Sequence, residues 1–491
     1  MRQRRTIYFN DARHYYLFVH EPPMRMVDAW SAVDEVAGTG IDTFVYGISR
    51  DDGLFYPSRV GRRFGEDTAD AFDMAAYWRV WHNMQSLLDR GLDPLQVLID
   101  RAHERGLDFV ASLRMGGYPG LPTELSVVNG GRGMALEEVR DFQFRLTEEL
   151  LTSYSAEGIE LDFAAAPGGT SPWFKPEEAQ QQAPVMTEFV RRVAHCARQR
   201  PGKPGLVGAR VYPTPELNER TGLEVERWLQ EGLVDYVVPM VYADMVLDSA
   251  MPLEWIIEAA HTAEVSVYAM LQPYFVDGTA PGTTREYPTA AMFRAAAANY
   301  NHAGVDGLYT WFMSWPLGEQ QRDVLSQLAD PVQVAEGDKH YFIRSAPTET
   351  NGLQYPAALP VAIDPTTDLG KRFSIDLVVG DDLENRSEEE SRVGTVELRL
   401  DINELTTADH FEIYLNGELL SGAAVRRQPT DTISPYSGQR LLIELQHQLP
   451  VKGKNRLEFA LLERPGGLMS QLRIDAVELI VQYDTYTTTV L

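Results

Sequence analysis

Two textures along one chain predict its fold class. Up to about residue 330, short apolar runs alternate with amphipathic helical stretches; beyond it, short period-two runs are separated by turn residues. Eight strand–helix units in about 320 residues predict an α/β chain with a (β/α)8 TIM barrel. The later alternation predicts a C-terminal antiparallel β-sandwich of jelly-roll type. An open doubly wound sheet is the alternative, weakened because no glycine-rich phosphate loop follows the first strand. At 491 residues the chain is about three times the usual domain length, and it divides into a barrel over 1–335 and a sandwich over 336–491.

Barrel strands are expected at Tyr15–His20, Asp42–Ile48, Asp108–Met115, Ile159–Phe163, Leu206–Tyr212, Tyr236–Tyr242, Val265–Gln272 and Gly307–Phe312. They are apolar runs more than alternations, as where helices cover a parallel sheet. Helices are expected at Met26–Ala37, Pro94–Arg105, Leu136–Tyr154, Ala183–Arg198, Leu223–Leu229, Leu253–Ala263, Ala290–His302 and Glu319–Leu328. Gly40, Gly106, Gly158, Gly232 and Gly304 stand between a helix and the next strand, where a left-handed cap turns the chain.

The prolines of Asp330–Thr367 mark the domain boundary. Sandwich strands are expected at Thr395–Leu400, Phe411–Leu415, Arg440–Leu445, Arg456–Leu461 and Ala476–Tyr483. The acidic run from Asp381 to Glu390 reads as a solvated loop, with a calcium site as the alternative.

Composition excludes several classes of function. Lys plus Arg is 44 against 71 Asp plus Glu, a formal net charge of −27 that repels phosphate backbones and anionic lipid surfaces. Nucleic acid is therefore not an expected partner. Membrane insertion is not expected either, because no apolar stretch approaches the roughly 20 residues that cross a bilayer. The basic Met1–Arg5 is followed by Tyr8–His14, which interrupts any signal-peptide apolar core. The chain as it stands reads as cytoplasmic, or as periplasmic or secreted if a leader has been removed. The single Cys196 excludes an intramolecular disulfide and a cysteine metal cluster, and it reads as buried and inert. Nothing in the pattern fixes an oligomeric state.

A barrel carries its reactive groups at the C-terminal ends of its strands. Strand four reads Gly158-Ile159-Glu160-Leu161-Asp162-Phe163, so Glu160 and Asp162 share a face. Two carboxylates inside a barrel need a purpose or a partner. Arg114, late on strand three, and Arg210, late on strand five, are placed to pair with them or to hold an anionic substrate group. Strand six brings Met240, Tyr242 and Asp244 onto one face, although Asp244 has the alternative of capping the next helix. Gln272 ends strand seven, and Trp311 near the end of strand eight offers a flat apolar floor to a sugar ring or packs in the core. His20 at the end of strand one, Tyr46 late in strand two and Tyr212 after strand five complete the expected substrate contacts.

Taken together these strands resemble the glycoside hydrolase superfamily of (β/α)8 barrels, particularly its chitinase-like and bacterial hydrolase-like branches. The chitinase pattern D-x-x-D-x-D-x-E on strand four meets Glu157-Gly158-Ile159-Glu160-Leu161-Asp162-Phe163-Ala164 here, with Ala164 at the place of the glutamate. Its M-x-Y-D on strand six meets Met240-Val241-Tyr242-Ala243-Asp244, one residue longer. The strand-eight tryptophan meets Trp311. The likeness covers about residues 6–330 and is one of architecture and site layout. The last third resembles galactose-binding-like jelly-roll modules, carried by Phe411–Glu418 with its Asn416-Gly417 turn, Leu449–Leu457 and Ile474–Leu479.

The resemblance implies an enzyme that cleaves a glycosidic bond in an oligo- or polysaccharide, with a carbohydrate as its substrate partner. Such cleavage needs a protonated carboxyl at the leaving oxygen and a second carboxylate as nucleophile or base. Asp162, Glu160 and Asp244 are the candidates, with Asp162 first. Arg114 and Arg210 make an anionic sugar plausible. No metal and no organic cofactor is required. The rival readings are a non-catalytic carbohydrate-binding barrel and a lyase or isomerase on the same fold.

Overall fold

The structure, a computed structural model, describes residues 2–11, 16–125, 127–128, 131–164, 173–175, 177–241, 245–276, 285–311, 313, 316–343, 345, 353–383, 393–420, 425–430 and 438–484. Eight parallel strands close into a barrel: β1 Arg5–Asp11, β2 Thr43–Gly47, β3 Asp108–Arg114, β4 Gly158–Asp162, β5 Leu206–Val211, β6 Tyr236–Pro239, β7 Ser266–Leu271 and β8 Gly307–Thr310. The register runs Asp11–Gly47–Ser112–Glu160–Gly208–Tyr236–Ser266 around the wall. Because β8 pairs Gly307 with both Tyr268 and Arg5, the circuit returns to β1 at Gln3, eight residues before its start, the stagger that an eight-stranded barrel requires.

Helices between the strands include Met26–Asp34, Ala75–Leu88, Pro94–Glu104, Glu137–Ser153, Ala179–Arg198, Val225–Gln230, Glu254–Thr262, Ala290–Ala303 and Glu319–Leu328. Alternate strand residues face them. Phe44, Tyr46, Phe109, Leu161 and Leu308 belong to the large core between wall and helices, whereas Ile7, Phe9, Val45, Tyr236, Met270, Tyr309 and Trp311 form a separate core inside the barrel. Both faces of each strand are buried, which is why the sequence shows runs instead of alternation.

The first strand is a correction. Tyr15–His20 is not a strand: Tyr16–Val19 is a helical turn, and β1 is Arg5–Asp11. Thr6-Ile7-Tyr8-Phe9 has the β-branched and aromatic content of a strand. Its neighbours Arg5 and Asp11 are charged yet buried, so they hid its ends. The helix expected over Met26–Ala37 ends at Asp34, strand six ends at Pro239, and the helices Ala75–Leu88 and Pro215–Thr221 were not foreseen. Among the expected capping glycines, Gly106, Gly232 and Gly304 are left-handed, but Gly40 and Gly158 are not. A Cβ on Gly40 would sit 2.0 Å from Ala329 Cβ and one on Gly158 would sit 2.2 Å from Leu206 O, so close packing selects glycine there. Cys196 is half-buried, and burial raises its thiol above the usual range.

The N-terminal end of the barrel is stitched by acids. Asp42, Glu157, Asp235 and Asp306 each stand just before an even-numbered strand. Each accepts the backbone N–H of the second residue of the preceding odd one: Thr6 at 2.9 Å, Phe109 at 2.7 Å, Val207 at 2.8 Å and Val267 at 2.9 Å. These carboxylates satisfy donors that a half-buried barrel floor leaves without water. The opposite end of the strands is thereby left for chemistry.

Beyond the helix Pro331–Glu336, two antiparallel sheets share one apolar core. One contains Lys339–Phe342, Val361–Ile363, Val393–Asn403, Val425–Pro429, Gly438–Glu444 and Leu472–Tyr483; the other contains Arg372–Val379, His410–Leu415, Glu418–Leu419 and Gly453–Glu463. Asn416 and Gly417 are both left-handed, at φ 52° and 86°, and close a hairpin as their pairing in sequence suggests. The acidic run does not begin in solvent: Asp381 is buried and lies 3.4 Å from the fully buried Lys339 Nζ, while positions 384–390 lie outside the described residues.

Candidate active site

The inward face of β4 carries Glu160 and Asp162, both buried, and Arg210 of β5 lies between them. Its Nε is 2.7 Å from Glu160 Oε1 and its Nη1 is 3.3 Å from Asp162 Oδ2. Its Nη2 donates to Tyr309 Oη at 2.6 Å, and Tyr309 Oη donates to Glu160 Oε1 at 3.1 Å. Ser112 Oγ and Tyr236 Oη donate to the Glu160 carboxylate at 2.9 and 3.2 Å. Glu160 is thus held by four groups from β3, β5, β6 and β8. Local sequence explains the reach of Tyr236: Gly208 opposite it has no side chain, and a Cβ there would lie 2.0 Å from the Tyr236 ring.

The aromatic layer completes the arrangement. The Arg210 guanidinium lies 3.9 Å from the Phe9 ring centroid and 5.2 Å from that of Trp311, and Trp311 meets Phe9 edge-on at 5.1 Å. Guanidinium–ring contacts of this kind keep a buried cation in place.

Arg210 faces both carboxylates in this buried interior. Burial raises the Glu160 carboxyl above its usual range; Arg210 opposes that shift and the charge of Asp162 adds to it. Burial acts to lower Arg210, but Glu160, Tyr309 and Asp162 outweigh it and hold the guanidinium above its ordinary value. Desolvation raises Tyr309 and Tyr236 as well, so both phenols stay protonated donors. The arrangement sets a carboxyl whose proton is held more tightly than usual, Glu160, beside a second carboxyl bridged by the same arginine.

Arg114 faces inward too, but it pairs with Asp11 of β1 at 2.6 Å. Arg210 thus takes the first of the two roles expected of the pair, bridging the strand-four acids, while Arg114 meets an acid of β1. Tyr46 points to the helical layer, where its hydroxyl lies 3.0 Å from that of Tyr16; it is not an inward substrate contact. His20, no longer at a strand end, sits 3.6 Å from Asp28 and 3.3 Å from Ser31 Oγ on the first long helix. Trp311 is an interior ring packed on Phe9 and not an exposed platform. Tyr212 is buried, and desolvation with the charge of Asp162 raises its phenol. Gln272 follows β7, its Nε2 donating to Val241 O at 2.8 Å. Tyr242 and Asp244 lie outside the described residues.

Asp11, Ser112, Tyr236 and Tyr309 were not foreseen. Three of them were reachable: Ser112 is two residues before Arg114, Tyr309 two before Trp311, and Tyr236 four before Met240, each on the same strand face. Asp11 was hidden by the misplaced first strand.

No family model matches the chain, and no curated protein matches it. Solved structures with related backbones are found. They include a cycloisomaltooligosaccharide glucanotransferase of Paenibacillus sp., 11% identical over 96% of this chain and 57% of that one, TM-score 0.33. Another is α-L-fucosidase isoenzyme 2 of Paenibacillus thiaminolyticus, 11% identical over 67% of this chain and 49% of that one, TM-score 0.42. A family 18 N-acetylglucosaminidase of Paenibacillus barengoltzii is 13% identical over 66% of this chain and 99% of that one, TM-score 0.38. The chain spans about half the length of the first two. Glycoside hydrolases thus recur among the structural neighbours, and at these values no residue role or substrate is carried over from them.

Proposed function

We propose that the barrel is a glycoside hydrolase-like enzyme that cleaves a glycosidic bond in an oligo- or polysaccharide. The observation that supports it most is the pairing of Glu160 and Asp162 on one inward strand face with a single bridging Arg210. Asp162, two residues nearer the C-terminal end of the strand, is the group assigned to the reacting bond. Glu160, enclosed by Ser112, Tyr236, Tyr309 and Arg210, positions Asp162 and Arg210. Asp244 is assigned the partner carboxylate, and Tyr242, Gln272 and Tyr212 are assigned to sugar hydroxyls. The pairing of Arg114 and Arg210 with barrel carboxylates supports a neutral sugar over an anionic one.

A second reading has one observation in its favour. Ala164, where chitinase-like barrels carry their glutamate, is buried in the core inside the barrel, as suits a carbohydrate-binding barrel without turnover. Initial rates on a panel of neutral and anionic oligosaccharides decide between them. Turnover by wild type that is lost in Asp162→Asn supports the enzyme. Glycan binding with no turnover by wild type moves the assignment to the binding protein.

A further inference from the structure

We infer, on the glycosidase reading above, that Gln272 selects the sugar of the barrel site by a single hydroxyl, through a side-chain oxygen that the chain leaves without a donor. The substrate class so named is a ring that presents an O–H donor toward β7, one layer above Asp162. Gln272 is then a specificity-determining residue, and the chemistry stays with the carboxylates.

The stagger of the barrel places Gln272. Going round the wall from β1, the register falls back eight residues over eight strands, so residues at one height advance by one position per strand. The inward residues of the odd strands therefore meet in one layer at the mouth: Asp11, Arg114, Tyr212 and Gln272. The layer beneath comes from the even strands and holds Gly47, Asp162, Met240 and Trp311. All four members of the upper layer carry polar groups, and all are buried. Arg114 is paired with Asp11 at 2.6 Å, and Tyr212 feels the charge of Asp162 below it.

Gln272 is 4% exposed. Its Nε2 donates to Val241 O at 2.8 Å, just past the end of β6. That bond fixes which way the amide faces, since the reverse orientation would set two carbonyl oxygens against each other. Oε1 then has no hydrogen-bond partner among the described residues. Buried polar atoms of side chains are nearly always given a partner. An amide oxygen left over at the mouth of a barrel, a layer above the acid assigned to the reacting bond, points to a donor brought from outside the chain. Its complement is an O–H or N–H group, and a neutral sugar supplies hydroxyls. A site built on such an acceptor discriminates sharply against an analogue lacking the donor, because the acceptor is then buried unmet.

The test uses the full chain and reads affinity apart from turnover. Neutral gluco- and galacto-oligosaccharides, and analogues of each that lack one ring hydroxyl, are titrated calorimetrically into Asp162→Asn and into the double variant Asp162→Asn, Gln272→Met, with a melting curve for each. Expected is one analogue that binds Asp162→Asn at least about tenfold more weakly than its parent, a penalty that shrinks to about twofold or less in the double variant while the other analogues keep theirs. Equal penalties in the two proteins overturn the role of Gln272. So do analogues that all bind Asp162→Asn as well as their parents, a result that needs no Gln272 variant. Either of these together with turnover by wild type leaves the enzyme reading intact. The expected penalties together with no turnover by wild type overturn the enzyme reading and keep the selection by Gln272, and failure of every sugar to bind overturns both.

Discussion

Arg210 bridges two buried carboxylates, and that bridge governs what single residues do here. Removing it with Arg210→Met takes from the buried Glu160 and Asp162 the cation they share. The expected cost is about 3–5 kcal/mol, read as a fall in the denaturation midpoint. Asp162→Asn keeps the shape and removes the proton or charge, so hydrolysis should fall by on the order of 10²–10⁴-fold with little change in melting temperature. Full activity in that variant removes Asp162 from the mechanism. Glu160 makes a pH prediction. Burial lifts its carboxyl above the unfolded value, so the native state holds this proton more tightly than the unfolded chain does. The stability so contributed is complete below about pH 4, the unfolded value, and is lost as pH rises through the raised one. Wild type should therefore lose stability relative to Glu160→Gln as pH is stepped from 4 toward neutrality. A pH-independent difference between their melting temperatures refutes it.

At the scale of elements, pairs of strands are the working unit. The acids before β2, β4, β6 and β8 each staple the start of the strand before them, so Glu157 serves the barrel floor and not the reaction. Asp235→Ala should cost about 1–3 kcal/mol, because Val207 N–H is left without its acceptor, and urea titration reads the loss. Activity per folded molecule should not change, since the staple sits at the end opposite the site. β5 and β6 show the complementary device, in which an absent side chain makes room for a functional one. Gly208→Val would drive methyl groups into the Tyr236 ring, 2.0 Å from where even a Cβ would stand. The expected penalty of about 1–3 kcal/mol for overpacking should come with impaired turnover, because Tyr236 would lose its bond to Glu160.

Across the whole molecule, barrel and sandwich are joined by polar as well as apolar contacts. Ser249 Oγ donates to Phe342 O at 2.7 Å, Asn299 Nδ2 to Val378 O at 3.0 Å, and Phe275 meets Phe342 edge-on at 5.1 Å. Lys339 begins the sandwich fully buried, with its Nζ donating to Ala335 O and Gly337 O beside Asp381. Burial lowers this ammonium, and Asp381 opposes the shift. Lys339→Met would strand Asp381 without its cation, and it should destabilise the chain by about 3–5 kcal/mol as measured by chemical denaturation. An unchanged midpoint would show the pair to be dispensable.

The sequence by itself determined the repeating strand–helix order, the switch to alternation after the barrel, and the inward face shared by Glu160 and Asp162. Each of these is a periodicity, and periodicity is local. It also carried Arg210 to the right face of the right strand. What it left open was which charges meet, because that depends on strands that are neighbours only after closure. Arg210 reaches Tyr309, 99 residues away, and Arg114 finds Asp11 at a distance of 103 residues. The first strand was misread because Arg5 and Asp11 are buried as one side of ion pairs, a burial that hydropathy does not signal. Tyr46 turned outward and Trp311 turned into the core for the same reason. The stagger of the closed barrel fixes which residues line one layer, and no single strand contains that information.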